Sequence, residues 1–379
     1  MADRPCDNAP HLGSLTGGRA ASRVRAMPPL RIARRLLGLA LALAAAAAPR
    51  AADACSVCLA GDPSFSTHGT STLESGRFAV YLELRGWEKR SGALAHGEEA
   101  EHAEHAAVAG PAQARAAGFA PRHAGHHHGE SAPEEEARSQ RLDLYLAWTP
   151  LDRLTLTLNL PWAFNGIETL GDGGRHVSLS GFGDLSLAAS AVVWRNRDVL
   201  PSTWVEARAW GKAPTGRDEQ RVDGERDPHL QAGTGSWDFG LGGAVVHRIA
   251  RASFYASAFY RWNGEGALDY RYGDVALATL AVETPLDHLL GVPSLRALVP
   301  GLALDLRWAE RDRQAGEPYA DSGGVIPYLS PQLRVALPGV GPERRAWLRT
   351  GVQVPLTNRW LYGDQDEGLV WSVGLGFGL

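Results

Sequence analysis

The chain has 379 residues, 44% of them apolar, with 44 glycines and only two lysines against 36 arginines. That apolar content excludes a wholly disordered chain, and no run after residue 48 reaches the roughly 20 apolar residues a helix needs to cross a bilayer, which excludes a helical membrane protein. The slightly negative mean hydropathy (−0.20) fits a soluble protein, and equally a barrel with one face of each strand toward lipid and the other toward a polar interior.

Arg31, Arg34 and Arg35 precede an apolar run from Leu36 to Ala48, and an Ala-x-Ala pattern follows at Ala52, Asp53 and Ala54. This is the order of a secretory signal peptide, so the chain is read as exported and residues 1–54 as an N-terminal extension and signal outside the fold. Met1 and Met27 are the only methionines, and the 26 residues before Met27 are poor in apolar residues and too long for a charged leader, so translation is read as starting at Met27. Without the eight arginines and three aspartates of residues 1–54, 30 basic and 39 acidic side chains remain, a formal net charge of −9. A nucleic-acid partner, which needs a basic patch, is excluded.

Cys6 lies in the extension, which leaves Cys55 and Cys58 as a Cys-x-x-Cys opening a periplasmic segment, residues 55–75, that could fold into a lumen as a plug. In an oxidising compartment the pair reads as a local disulfide. Two other readings stay open: a lipid anchor on Cys55, for which Ala52 and Asp53 are a poor match, and a metal site with His68 that lacks a fourth ligand in sequence. Haem attachment needs His at position 59, where Leu59 stands.

From Phe78 onward the dominant period is two. Phe78, Val80, Leu82 and Leu84 alternate with Tyr81, Glu83 and Arg85; Leu142 to Trp148 alternate with Asp143 and Tyr145; Leu154 to Phe164 alternate with Thr155, Thr157 and Asn159. The pattern recurs at 185–193, 254–262, 302–308, 329–337 and 369–379, and more weakly near 203–211, 230–247, 275–284 and 346–355. Strands wetted on one face read this way, and the count of twelve is even, which returns the chain to the side it started from.

A secreted sandwich or a propeller also alternates. Tryptophans placed at strand ends (Trp87, Trp148, Trp162, Trp194, Trp204, Trp210, Trp262, Trp308, Trp347, Trp360 and Trp371) are read instead as interfacial girdles. Connections alternate between short (150–153, 247–252) and long (91–140, 165–182, 212–229, 263–274, 310–324), as turns and outer loops of a transmembrane barrel do. Residues 284–300 break that rule and are read as a small amphipathic helix or plug. The chain stops inside its last strand, with Phe377 two residues before Leu379, which resembles the C-terminal targeting signal of bacterial outer-membrane barrels.

Three segments carry a family resemblance: GFGDLSL at Gly181–Leu187, KAPTG at Lys212–Gly216 and HLQAGTGSWDFGLGGAVVH at His229–His247. Together they resemble the outer-membrane transporters named for the meta-cleavage pathway of phenol degradation, over about residues 76–379. The resemblance implies a channel-like barrel, with uptake of aromatic or other apolar small molecules in some members.

Residues 91–140 form a loop, read as disordered, that holds His96, His102, His105, His123, His126, His127 and His128 among interleaved glutamates. Imidazoles suit Zn, Cu or Ni, held loosely or as a sensing device, whereas the bland reading is a solvated low-complexity loop. Catalytic signatures such as Gly-x-Ser-x-Gly or His-Glu-x-x-His are absent from the sequence, so no enzyme and no resident cofactor is expected. The polar parity places Glu83, Arg85, Asp143, Asp184, Glu206, Arg208, Asp238, Arg261, Glu283, Asp305, Arg307, Arg334 and Arg349 inside, where they either pair and fill the barrel or line a solute path.

The resulting expectation is an all-β, up-and-down antiparallel barrel of about twelve strands over residues 76–379, in a Gram-negative outer membrane with both chain ends periplasmic. It would pass small, apolar or aromatic molecules passively, and its partners would be lipid, its solute and the barrel assembly machinery. The alternatives are a metal-capturing or metal-sensing barrel, a structural barrel, and an enzyme at the outer rim.

Overall fold

The computed structural model of the protein describes residues 77–91, 135–169, 176–197, 202–222, 226–337, 345–363 and 365–378. Twelve antiparallel strands close into one barrel: β1 (Phe78–Ser91), β2 (Glu135–Leu151), β3 (Leu154–Thr169), β4 in two pieces (His176–Phe182 and Ser186–Arg195), β5 (Thr203–Lys212), β6 (Asp238–Ile249), β7 (Ala252–Asn263), β8 (Val275–Glu283), β9 (Leu298–Ala309), β10 (Gly324–Leu337), β11 (Arg345–Pro355) and β12, again in two pieces (Gln365–Glu367 and Val370–Gly378). Each strand pairs with the next, and β12 returns to β1, from Ala79 opposite Gly378 to Ser91 opposite Gln365. Closure leaves the wall itself without an edge, with only the outer piece His176–Phe182 paired on one side, to β3; an edge in hydrocarbon would have no water to bond its N–H and C=O groups.

The period of two in the sequence becomes an inside and an outside. Along β1, Tyr81, Glu83, Arg85 and Trp87 are buried within the barrel while Phe78 and Leu82 are exposed on its outer wall. Leu142 and Leu146 on β2, Leu187 on β4, Leu241 on β6, Leu280 on β8 and Leu304 and Leu306 on β9 continue that exposed apolar belt. Inside, bulky rings lie over glycines of neighbouring strands. A β-carbon on Gly240 would come within 2.2 Å of the Phe259 ring, and one on Gly376 within 2.2 Å of the Trp347 indole. Phe259 in turn meets Trp210 edge-on, with ring centroids 6.5 Å apart.

Several sequence expectations need correction. Trp87, Trp204 and Trp210 are buried inside the barrel, and Trp347 lies over the inward Gly376, so these four are lumen residues and not girdle residues. Position near a strand end had suggested the membrane interface, but parity decides which way a ring points. Trp148, Trp194 and Trp262 do lie exposed on the outer wall, whereas Trp360 lies in the β11–β12 connection. The strands also run further than the apolar alternation: β1 reaches Ser91, β2 starts at Glu135 and β3 reaches Thr169. Hydrogen-bonded ladders continue into polar sequence, where no lipid enforces alternation. The first long connection is therefore 92–134 and not 91–140. Residues 230–237, read as part of a strand, leave the ladder, which resumes only at Asp238. Gly235 stands there at φ +70, a left-handed conformation that suits glycine and ends extended pairing.

The connection 284–297 holds a one-turn helix, Leu286–Leu290, and a 3-10 turn at Pro293–Leu295. None of its helical residues is buried, and Arg251 of the adjacent turn reaches Asp287 at 2.8 Å. It is a rim element and not a plug. It shares its end of the barrel with the ends of the wall, where Ala79 meets Gly378. The signal region, Cys55 and Cys58, the 55–75 segment and the histidine loop lie outside the described residues.

Gly240→Val is expected to destabilise the refolded barrel by about 1–3 kcal/mol through the clash with Phe259. Phe259→Ala in the same chain should recover part of that loss. Guanidinium unfolding in lipid vesicles measures both, and additive losses would show that the ring and the glycine are not fitted to one another.

Candidate functional site at the barrel mouth

Segments distant in the sequence meet at the end of the barrel that carries the long loops. Between its two pieces β4 leaves its ladder, with Gly183 N–H donating to Pro161 O at 3.0 Å, and the buried carboxylate of Asp184 faces inward. Its Oδ1 accepts from Gly216 N–H (2.9 Å), and its Oδ2 from Thr234 N–H (2.8 Å), from the Thr234 hydroxyl (2.9 Å) and from Lys212 Nζ (3.0 Å). Lys212, the last residue of β5, also lies 2.7 Å from Asp238 Oδ2, at the start of β6. The other Asp238 oxygen accepts from the Ser236 hydroxyl (2.8 Å) and Gly264 N–H (3.1 Å). One buried ammonium thus joins two carboxylates at the roots of the β5–β6 connection.

The described parts of that connection, residues 213–222 and 226–237, fold inward. Gly233 N–H donates to Arg217 O at 2.8 Å, and Asn165 Nδ2 of β3 donates to Gln231 O at 2.8 Å. Gly216 and Gly233 sit backbone against backbone, since a β-carbon on either would come 2.7 Å from the other's Cα. Leu230 and Gln231 are buried. Further out, His229 accepts or donates at both ring nitrogens, to Asp227 Oδ1 (3.2 Å) and to the Tyr270 hydroxyl (2.9 Å), and Tyr270 donates to Asp312 Oδ2 at 2.8 Å. Three loops are tied through one imidazole. Burial alone would raise the Asp227 carboxyl, but its hydrogen bonds and attraction to His229 win and hold it below the ordinary carboxylate range.

Below this segment the inward charges pair off along and between strands. Arg85 meets Glu83 at 3.1 Å, Arg141 meets Asp143 at 2.9 Å, Arg208 meets Glu206 at 3.0 Å and Arg334 meets Glu283 at 3.3 Å. Arg307 pairs with Glu367, which also accepts from the Tyr328 hydroxyl. Asp305 accepts from Thr279 (2.6 Å), from Ser330 and from Gln353 (3.2 Å), and Arg349 donates to Gln332. All thirteen candidate lumen residues project inward, but they do not form one site. Asp184 and Asp238 belong to the mouth cluster, Arg261 borders a small chamber beneath it, and the others spread along the wall. The seven candidate metal histidines lie outside the described residues.

Sequence reasoning missed Lys212, Arg141, Asn159, Asn165 and Glu367. Arg141 had a readable signal, because Arg-x-Asp at 141–143 mirrors Glu-x-Arg at 83–85 and 206–208. Lys212 is one of only two lysines and opens the KAPTG segment. Asn159 shares the inward parity of Thr155 and Thr157, but its partner Asp143 and the loop partner of Asn165 had no signal, since they come from another strand and from a loop.

A closed barrel with an apolar outer belt and an ion-paired interior is the build of a membrane-spanning β-barrel. Residues 138–293 match the family model described as the MetA-pathway of phenol degradation, and the three segments that carry the resemblance, all part of the mouth cluster or the adjoining wall, fall inside that span. No curated protein matches the chain by sequence. Among solved structures, an outer membrane channel from Pseudomonas putida F1 is similar at a TM-score of 0.52 and 16% identity, over 82% of this chain and 98% of that one. The chain shares that channel's fold. A FadL homologue of Pseudomonas aeruginosa (TM-score 0.36, 11% identity, 80% of this chain and 89% of that one) and a toluene transporter of P. putida (0.35, 8%, 81% and 90%) are looser likenesses without functional weight.

Lys212→Met would leave Asp184 and Asp238 facing each other without a cation, a change that costs about 3–5 kcal/mol when a buried pair is broken. Trypsin cleavage at Arg217 and Arg221 should speed up while the barrel strands stay protected. Acid should loosen the outer tie as well. Because the folded Asp227 carboxyl titrates below its ordinary value of 3.8, its contribution is present above that value and fades as pH falls through the folded one. Hydrogen exchange in 226–232, corrected for intrinsic rates, should rise as pH falls from the ordinary value of 3.8 through the lower folded one; a flat profile there would remove Asp227 from the tie.

Proposed function

We propose that this protein is a passive outer-membrane channel for small uncharged molecules, aromatic or apolar ones among them, and that its resting state is closed at the mouth by residues 213–237. The observation that carries this reading is the inward fold of that segment, fastened by Lys212 between Asp184 and Asp238. A loop pinned across a lumen by buried ion pairs fits a gate better than a surface decoration, because each buried charge is costly unless matched.

The interior favours an uncharged solute. Its acids and bases are largely cancelled in pairs, so a passing ion meets little net attraction to offset its lost hydration. The Trp87, Trp204, Trp210 and Phe259 rings add flat apolar contact inside the barrel. Twelve strands lie between small barrels filled by side chains and porins of 16–18 strands with open channels, in keeping with a lumen opened by movement of a segment. The apolar belt requires lipid around it, and insertion there would call on the barrel assembly machinery, with both ends of the wall on the periplasmic side beside the shorter turns. Flux follows a gradient, and no bond is made or broken.

Refolded protein in planar bilayers should show brief, small conductance steps. Replacing residues 217–232 by a short Gly-Ser link should raise the conductance several-fold. Silence from both proteins would remove the channel reading and favour a structural barrel.

A further inference from the structure

Beneath the pinned segment lies a chamber of about 40 Å³. The Trp87 and Trp210 indoles, Arg141, Asn159, Arg261 and Asn263 are among its walls. At that volume it admits a group about the size of a hydroxyl or a water.

The carboxylates that line it, and Asp143 just behind its wall, are already engaged. Asp143 accepts from Arg141 Nε at 2.9 Å and from Asn159 Nδ2 at 2.9 Å, and the oxygens of Asp184 and Asp238 are taken by Lys212, hydroxyls and loop amides. What is left over is specific. Trp87 Nε1 and Arg141 Nη2 are buried donors, and Asn159 Oδ1 and Asn263 Oδ1 are buried acceptors, each without a hydrogen-bond partner among the described residues. All four side chains belong to residues no more than 5% exposed. The amide orientations are set from behind, because Asn159 Nδ2 donates to Asp143 and Asn263 Nδ2 donates to Gly273 O.

Such a set selects by chemistry. The walls carry Arg141, Lys212 and Arg261 against Asp184 and Asp238, and Asp143 behind the wall neutralises Arg141 at 2.9 Å, so the surroundings offer no net charge to an ion. An anion would face two amide oxygens, and a hydrocarbon would leave four buried polar groups unmatched. A hydroxyl or a carboxamide both accepts and donates, and the indoles give an attached ring a flat apolar wall. We infer that this chamber is a head-group subsite for small uncharged aromatic alcohols or amides. This deepens the channel reading by naming the class of solute, although binding can be read without conduction. The ring can follow its head group only when the roof at Gln231–Thr234 lifts, so occupancy and the pinned segment oppose one another.

Benzyl alcohol, toluene and benzoate share a ring and differ in head group, so equilibrium binding of each to the refolded full chain in detergent tests the assignment. Benzyl alcohol should bind at least about tenfold more tightly than either of the others. Trp87→Phe, which keeps a ring and removes the N–H, and Asn159→Ala should each weaken benzyl alcohol several-fold and leave toluene unchanged. Lys212→Met, by freeing the roof, should tighten benzyl alcohol. Equal binding of benzyl alcohol and toluene, preference for benzoate, or no effect of either chamber variant in folded protein would overturn the proposal and leave the chamber to water. Silence in bilayers with this pattern intact would count against the channel alone.

Discussion

Everything in this molecule depends on the ladder between β1 and β12. A strand in hydrocarbon cannot leave its N–H and C=O groups to water, so the first strand of the wall must find the last. Ala79 to Gly86 pair with Gly378 to Trp371, and above them Lys89 to Ser91 pair with Glu367 to Gln365. Closure fixes which parity faces inward for all twelve strands together, because a one-residue slip in any pair would turn its leucines into the lumen and its arginines into lipid.

Once the wall is closed, the interior has to be filled. Large rings are set over glycines of the next strand, as Phe259 is over Gly240 and Trp347 over Gly376. Charges are set beside opposite charges, often two residues apart on one strand, as in Glu83 with Arg85 and Glu206 with Arg208. Both devices follow from the same constraint, a narrow interior in which large and charged side chains must be fitted to one another. They also give the lumen its character: polar in composition, close to neutral in net charge, and lined in part by indoles.

At the mouth the same packing fixes a loop. The β5–β6 connection could have remained in solvent, yet its two roots carry Lys212 and Asp238, and the interrupted β4 presents Asp184 between them. The buried ammonium has two carboxylates, and the excess acceptor capacity is absorbed by Gly216, Thr234, Ser236 and Gly264 of the loops themselves. Fastening of this kind holds a segment inside a barrel without a covalent link, and it leaves the chamber beneath with a small, defined set of unmatched donors and acceptors.

Much of the fold was legible in the sequence. Alternation such as Leu154 to Phe164 against Thr155 to Asn159 fixes a strand and its two faces, since side-chain direction has a period of two whatever the neighbours are. The even strand number and the inward direction of Glu83, Arg85 and Asp143 come from the same source, whereas the barrel class rested on connections that alternate between short and long and on tryptophans at strand ends. Trp87, Trp204 and Trp210 share the parity of Glu83, Arg85, Glu206 and Arg208, so their inward direction was legible as well and was missed only because position near a strand end was given more weight than parity. Sequence spacing could not bring Asn165 to the backbone of Gln231, or Asp184 to Thr234, across 65 and more residues in the first case and 50 in the second. Local periodicity determined which residues form strands and which face each presents. Only tertiary structure decided which charges meet and that residues 213–222 and 226–237 turn inward, because those contacts exist only after the barrel has closed and brought distant strands around one small lumen.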